Sequence, residues 1–380
     1  MMTKLIYAKF FLLAQLLFLP FAFSLENKVQ TILIGIDGLS YASFLEAQRQ
    51  GFLQEFTQLG AHVAPFPSMT DLSWSQVTQT SELFGSVGRI KSVEATYFDD
   101  STQSIQGDPR DYYRRLSFPK YYMGAFDFFF NPYVEALMYF PTTEVPKLEI
   151  KSVIDDLISA KQKSILTGYI GAIDSTSHTQ KNRLYEVIRI LDSEIKRLIT
   201  SYREKNQEIE VILVSDHGNY GRFNEGTKDE IELLPVNLKK SIEAAGFQFV
   251  QQLKNEKDVG VPLMALGSWG PVYLKDRRKM KELLEHLRTE KWFDLAISIN
   301  KNSQTETHIS VISNQGEAYL KYDKKNEKIY YYNLKGNVLF IPEFYHANLN
   351  TQKFITKNEA LSITANTPYP DSLWRIVEST

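Results

Sequence analysis

A chain of 380 residues, 43% hydrophobic and 23% charged, is long enough to bury a substantial core in one large α/β domain or two smaller ones. Its formal charge of −2 gives no basic field for nucleic acid and no acidic tail. The absence of cysteine excludes a disulfide frame, a thiol nucleophile and a lipid-modified cysteine anchor.

At the N-terminus, Lys4 and Lys9 precede or border an apolar run from Phe10 to Ser24, broken by Pro20 and carrying small residues at Ala22 and Ser24. This pattern predicts a cleavable secretory signal over residues 1–24, cut near Ser24–Leu25. The run is short for a membrane span, so no stable span is expected after cleavage. The expected location is secreted or periplasmic, with residues 25–380 forming one domain.

Val29–Ile36 is apolar and rich in β-branched residues, which predicts a buried strand ending in Asp37-Gly38. A helix is expected from Ser40. The segment from His62 to Thr70 is proline-stiffened and extended. Helical spacing of Leu72, Trp74, Val77 and Thr78 then puts Thr70 at or near a helix N-cap. A Thr there is an ordinary cap, or an oxygen nucleophile beside helix-end N–H groups able to receive a phosphoryl oxygen.

Residues 97–150 are dense in Tyr and Phe with poor periodicity, and are read as a cap insertion over the crevice or as aromatic packing at the edge of the core. Pro141 to Leu148 is expected to lead into a helix from Glu149 to about Lys161. Ser164–Ile170 predicts a third strand, followed by Asp174 and His178 four residues apart. That spacing lets both converge on one ion, from a helix face or a tight turn. An amphipathic helix follows, with Leu184, Ile188, Leu191, Ile195 and Leu198 on one face and charges on the other. It returns the chain to a strand ending in Ser215-Asp216-His217-Gly218, where the glycine is expected to supply a sharp turn.

Further on, helices are expected over Pro235–Gly246 and Asp276–Arg288, with a strand pair at 260–267 and 270–274. Between Trp292 and about residue 340 short strands alternate with polar turns, which predicts a β-rich subregion, one antiparallel sheet. The whole is an α/β fold with a mostly parallel central sheet flanked by helices.

Asp37, Asp174, His178, Asp216 and His217 thus fall at or near strand ends, where open α/β sheets present ligands to a crevice. Asp and His without thiolates suit Zn²⁺, and less well Mn²⁺ or Fe. Two divalent ions would stabilise both the attacking and the leaving oxygen of an in-line displacement, with a small phosphate ester as substrate. A Thr hydroxyl needs such help to act as a nucleophile, here through a covalent phospho-threonine that water then hydrolyses.

The ordered set Asp37-Gly38, Pro67-Ser-Met-Thr70, Tyr169–His178 and Ser215–Gly218 resembles the alkaline phosphatase superfamily, and most closely its type I phosphodiesterase/nucleotide pyrophosphatase branch. The resemblance implies that Asp37, Thr70, Asp216 and His217 hold one Zn²⁺, that Asp174 and His178 hold the other, and that Thr70 is the nucleophile. Two positions depart from that pattern. Where relatives carry an Asn contacting the phosphoryl oxygen, this chain has Ser73. The late His in an H-G setting, third ligand of the Asp174/His178 ion, has no counterpart; His346 and His308 are the late candidates, and neither precedes a Gly. The expectation is that the chain is cut short or that this ligand has been lost. His62 and His286 are read as structural or solvated. Alternatives are an inactive or impaired binding protein of the same fold, or a phosphonate or sulfate ester hydrolase. The lack of cysteine disfavours a sulfatase, since formylglycine made from it is impossible.

Overall fold

The computed structural model describes residues 29–64, 68, 70–78, 96–107, 122–131, 143–218, 234–262, 270–345 and 353–378. The expected signal segment, His346 and residues 108–121 and 132–142 of the aromatic-rich stretch therefore lie outside the described residues. No described helix is long and apolar enough to cross a membrane.

Strand β1 (Gln30–Ile36) leads to helix α1 (Tyr41–Arg49), capped by Ser40, whose Oγ accepts the Ser43 N–H. Helix α2 spans Thr70–Val77. Strands β2 (Thr96–Asp99) and β3 (Ser104–Gly107) pair as an antiparallel hairpin. Strand β4 (Phe128–Phe129) precedes helix α3 (Glu144–Ser159) and strand β5 (Ile165–Ile170). Helices α4 (Ala172–Thr179) and α5 (Leu184–Glu204) lead to strand β6 (Ile209–Ser215).

β4, β5, β1 and β6 lie side by side in that order, all parallel, so the chain leaves β5 and returns on the far side of β1. The side-chain period of two divides β1 between the two faces of this sheet. Ile32, Ile34 and Ile36 are fully buried against the apolar stripes of α3 and α5, including Ile150, Val153 and Leu157 from one and Val187, Leu191 and Leu198 from the other. Leu33 faces the opposite way, into a cluster of Trp74, Tyr122, Met123, Phe126 and Tyr169. Layers of helix on both faces explain why β1 reads as a continuous apolar run rather than an alternating one.

Two expectations of detail give way. α3 starts at Glu144, not Glu149. Pro146 sits in the first helical turn, where N–H groups have no intrahelical acceptor to lose. Asp192 was read with the solvated charges of α5, yet it is buried: its Oδ1 accepts the Leu53 N–H at 2.8 Å and its Oδ2 meets Lys196 Nζ at 2.9 Å.

Of the aromatic stretch, Tyr122–Phe129 packs on and joins the central sheet, while residues 108–121 and 132–142 are outside the described ones. The β2–β3 hairpin is tied to a small sheet of β7 (Gln248–Phe249), β8 (Asp258–Gly260) and β9 (Tyr273–Leu274). Phe98 stacks on Tyr273 with ring centroids 4.1 Å apart. Helices α6 (Leu234–Ala244) and α7 (Met280–Leu287) cover that sheet. Of the expected 260–267 strand, residues 263–269 are outside the described set, and pairing occurs at Val259 and Gly260.

The β-rich subregion is a separate antiparallel sheet: β10 (Leu295–Asn302), β11 (Glu306–Ser313), β12 (Gly316–Asp323), β13 (Lys328–Lys335) and β14 (Ile355–Thr356). Its inner face, with Ile309, Val311, Leu320, Ile329 and Tyr331 all fully buried, packs under α8 (Lys357–Thr364) and α9 (Ser372–Glu378). From α9, Arg375 Nη2 donates to Ser68 Oγ at 3.0 Å, tying this layer to the segment that precedes Thr70.

Candidate active site

The carboxyl ends of β1 and β6 lie in register, with Gly35 opposite Val214 and Ile36 opposite Ser215. Asp37 and Asp216 therefore leave adjacent strands at the same level, on the side where Leu33 and Val214 meet the Trp74 cluster. Both are buried. Ser215 Oγ donates to the His217 carbonyl at 2.9 Å, which closes the strand end and turns the imidazole inward. Gly218 acts through space rather than through an unusual turn: its φ is not left-handed, and a Cβ there would lie 2.6 Å from Ser40 Cβ. The left-handed glycine is instead Gly38, at φ 70°, whose N–H donates to Asp216 Oδ1 at 3.2 Å.

Ligand atoms of Asp37, Asp216 and His217 all fall within 4.8 Å of one another. His217 Nε2 is 3.4 Å from Asp37 Oδ1 and 3.4 Å from Asp216 Oδ2. Its Nδ1 lies 3.2 Å from the Gly218 carbonyl, which can only accept, so Nδ1 carries a proton and Nε2 is turned to the carboxylates. Thr70, the first residue of α2, enters the same group: Oγ1 is 3.3 Å from Asp37 Oδ1 and 3.1 Å from His217 Nε2. Tyr169 Oη donates to Asp37 Oδ2 at 2.5 Å.

Electrostatically the cluster is unfinished. Burial, reinforced by the neighbouring Asp37 carboxylate, pushes the Asp216 carboxyl well above its ordinary range; His217 and the Gly38 N–H act the other way, and Asp174 adds to the rise. Among the described residues, Asp216 Oδ2 is buried without a hydrogen bond. A bare buried carboxylate beside a second one is costly unless a cation or a proton sits with it. The donor set, two carboxylates and an imidazole with a hydroxyl alongside, fits a divalent ion.

The sequence pair Asp174 and His178 lies on α4, one turn apart, with Asp174 Oδ1 3.4 Å from His178 Nε2. A helix rather than a turn presents them. The helix start is held by Glu149, a fully buried carboxylate on α3 whose Oε1 accepts the Gly171 N–H at 2.8 Å. Among the described residues, the one group of three or more metal-competent side chains is Asp37, Asp216 and His217. Of the two late histidines, His346 lies outside the described residues. His308 sits on β11, where Tyr319 engages its Nδ1 and Glu306 lies 3.2 Å from its Nε2. Ser73 is fully buried one turn beyond Thr70, and among the described residues its Oγ has no hydrogen-bond partner.

The model of the type I phosphodiesterase/nucleotide pyrophosphatase family matches residues 96–332, more than half of the chain. The chain belongs to that family. Type I phosphodiesterases and nucleotide pyrophosphatases are members of the alkaline phosphatase superfamily, are metal-dependent and hydrolyse phosphoric ester bonds. The match contains Asp174, His178, Asp216 and His217, whereas Asp37 and Thr70 precede it and join the cluster through the geometry alone. It also takes in most of the antiparallel sheet, so that layer belongs to the family's own region. No curated protein and no solved structure matches the chain.

The site feature that sequence reasoning passed over is Tyr169. A tyrosine one residue before a strand end reads as packing; only its register opposite Gly35 brings the phenol to Asp37.

Proposed function

We propose that this protein is an exported phosphodiesterase or nucleotide pyrophosphatase that cleaves small-molecule phosphate esters through a covalent intermediate on Thr70, with two Zn²⁺ ions as cofactors. The observation that carries the reading is the position of Thr70 Oγ1, within hydrogen-bonding distance of both Asp37 and His217, at the edge of a buried carboxylate pair. Asp37, Thr70, Asp216 and His217 would hold one ion, and Asp174 and His178 the other. When bound, the ions would lower the pKa of the Thr70 hydroxyl and offset charge on the phosphoryl and leaving oxygens.

The chain's own groups supply the rest. Thr70 Oγ1 passes its proton to solvent and attacks phosphorus, forming one P–O bond as the opposite P–O bond breaks and the leaving oxygen takes a proton from water. Water then attacks the phospho-threonine, its oxygen bonding to phosphorus as the bond to Oγ1 breaks, and one of its protons returns to Oγ1. Ser73, one turn along α2 with a buried hydroxyl that has no hydrogen-bond partner among the described residues, supports a role as donor to a phosphoryl oxygen. The residues behind the export reading are Lys4, Lys9 and the apolar run to Ser24; a mature N-terminus at or near Leu25, read by mass spectrometry of the exported protein, tests it.

The deciding experiment combines metal analysis with turnover of a nitrophenyl phosphodiester. Two zinc ions per chain, and hydrolysis lost in Thr70→Ala, are expected. A folded protein with no metal and no turnover would instead make this a binding protein of the same fold. That second reading draws on Ser73 and on the pair of ligands at Asp174 and His178. The ratio of diester to monoester hydrolysis then sets the substrate class.

A further inference from the structure

Resting on the reading of Asp37, Asp216 and His217 as a metal site, we infer that Tyr169 is a positioning residue, whose phenol holds Asp37 so that its carboxylate offers one oxygen to the ion. The two oxygens of Asp37 have different neighbours. Oδ1 faces Thr70 Oγ1 at 3.3 Å and His217 Nε2 at 3.4 Å, while Oδ2 accepts the Tyr169 hydroxyl at 2.5 Å. A carboxylate rotates about one bond and can present either oxygen, or both, to a cation. A short charge-assisted hydrogen bond on Oδ2 fixes that rotation and leaves Oδ1 for the ligand direction.

The phenol is itself well held. Tyr169 is 1% exposed. Its ring packs against Trp74, Tyr122 and Phe126 with centroids 5.8, 5.6 and 5.4 Å away. Its oxygen also lies 3.3 Å from Tyr122 Oη. Directly across the sheet from Tyr169 is Gly35. A Cβ at Gly35 would lie 2.7 Å from the Trp74 ring and 2.8 Å from Phe126, so a larger residue would push this aromatic group off the strand. Two residues beyond Gly35, just past the end of β1, is Asp37. Gly35, the aromatic group and Tyr169 therefore set the height and angle of the hydroxyl that meets Oδ2.

The test is Tyr169→Phe, which keeps the ring and removes only the hydroxyl. Metal affinity is measured by competition with a chromophoric chelator. Turnover is measured alongside it, and the visible absorption of the cobalt-substituted protein follows coordination number. The expected result is an affinity about 10–100-fold weaker. kcat falls more than KM rises, and the cobalt spectrum changes as Asp37 becomes free to give both oxygens. Tyr122→Phe is expected to shift affinity in the same direction by less. The thermal midpoint of the metal-free Tyr169→Phe protein should stay close to wild type, because the packing is retained. Metal in the wild type, with affinity and cobalt spectrum unchanged in both variants, overturns the inference and leaves the site reading intact. No metal in the wild type overturns the site reading, and the inference with it.

Discussion

The two main sheets treat charge in opposite ways. On the antiparallel sheet, Glu306 lies against Lys301, Lys321 and His308, each within ion-pair distance, so its charge is answered by its neighbours. At the carboxyl edge of the parallel sheet, Asp37 and Asp216 face one another and leave Asp216 Oδ2 without a hydrogen bond among the described residues. Topology explains the contrast. Antiparallel strands alternate direction and spread their polar residues across a face, where Glu306, itself opposite Asp323, finds its partners two residues along its own strand and diagonally on both neighbours. Parallel strands all end on one side, so every strand-end residue is delivered to one crevice whether or not it has a partner there. Charges paired at home hold a layer together; two carboxylates gathered in one buried group with an imidazole mark where a cation is wanted.

This contrast can be broken in a defined order. The largest effect is expected from Thr70→Ala, with kcat lower by at least about 10³ while bound metal is retained. A variant that lost its metal but kept turnover would show that the parallel edge is not the reacting centre. Next, Leu320→Ala in the core of the antiparallel sheet should lower unfolding free energy by about 2–5 kcal/mol. In denaturant titrations that loss should appear without any change in kcat per folded molecule; a matching fall in kcat would mean the two layers are not separable in this way.

Asp216→Asn sharpens the same contrast from the other side. Without metal, removing one of two facing buried carboxylates should raise the thermal midpoint. With metal, the variant should lack the gain of about 2.7 kcal/mol that the wild type acquires at a metal concentration one hundred times Kd. Calorimetry with and without chelator reads both signs, and a wild type insensitive to chelator would contradict them. The smallest effect belongs to Glu306. Hydrogen bonds from Lys301, then Lys321 and His308, hold its carboxyl down from its ordinary 4.5 to about 2. A carboxyl lowered on folding stabilises the fold above the unfolded pKa, and that contribution is lost as pH falls toward 2. Glu306→Gln should therefore be slightly less stable at neutral pH and equal to wild type near pH 2, as read from urea midpoints; the group is exposed, so the difference stays small.

Much of the central layer was legible from residue types and spacing. An apolar β-branched run, a carboxylate and a glycine is a local signal, and it appears twice, at Asp37 and at Asp216-His217. The start of α2 at Thr70 and the one-turn spacing of Asp174 and His178 are local in the same sense. Local patterns failed where a residue's role depends on what lies across the molecule. Tyr169 acquires its partner through strand register, and Arg375 meets Ser68 across 307 positions of chain. Asp192 looked like one more surface charge on an amphipathic helix until the Leu53 N–H arrived from another segment.

The parallel order of β5, β1 and β6 also fixes when the cluster can come into being. β1 is the centre of the sheet, yet neither of its flanking partners β5 and β6 is near it in sequence. Tyr169 reaches Asp37 across 132 positions, Thr70 reaches His217 across 147, and Gly38 reaches Asp216 across 178. A growing chain can therefore lay β1 against β5 and cover them with α3, but it has no carboxylate pair until β6 emerges and docks on the far edge. Pairings of such long span close late and slowly. A metal ion at Asp37 and Asp216 would thus act on a nearly finished central sheet, holding its last-docked strand in place, rather than seeding that sheet.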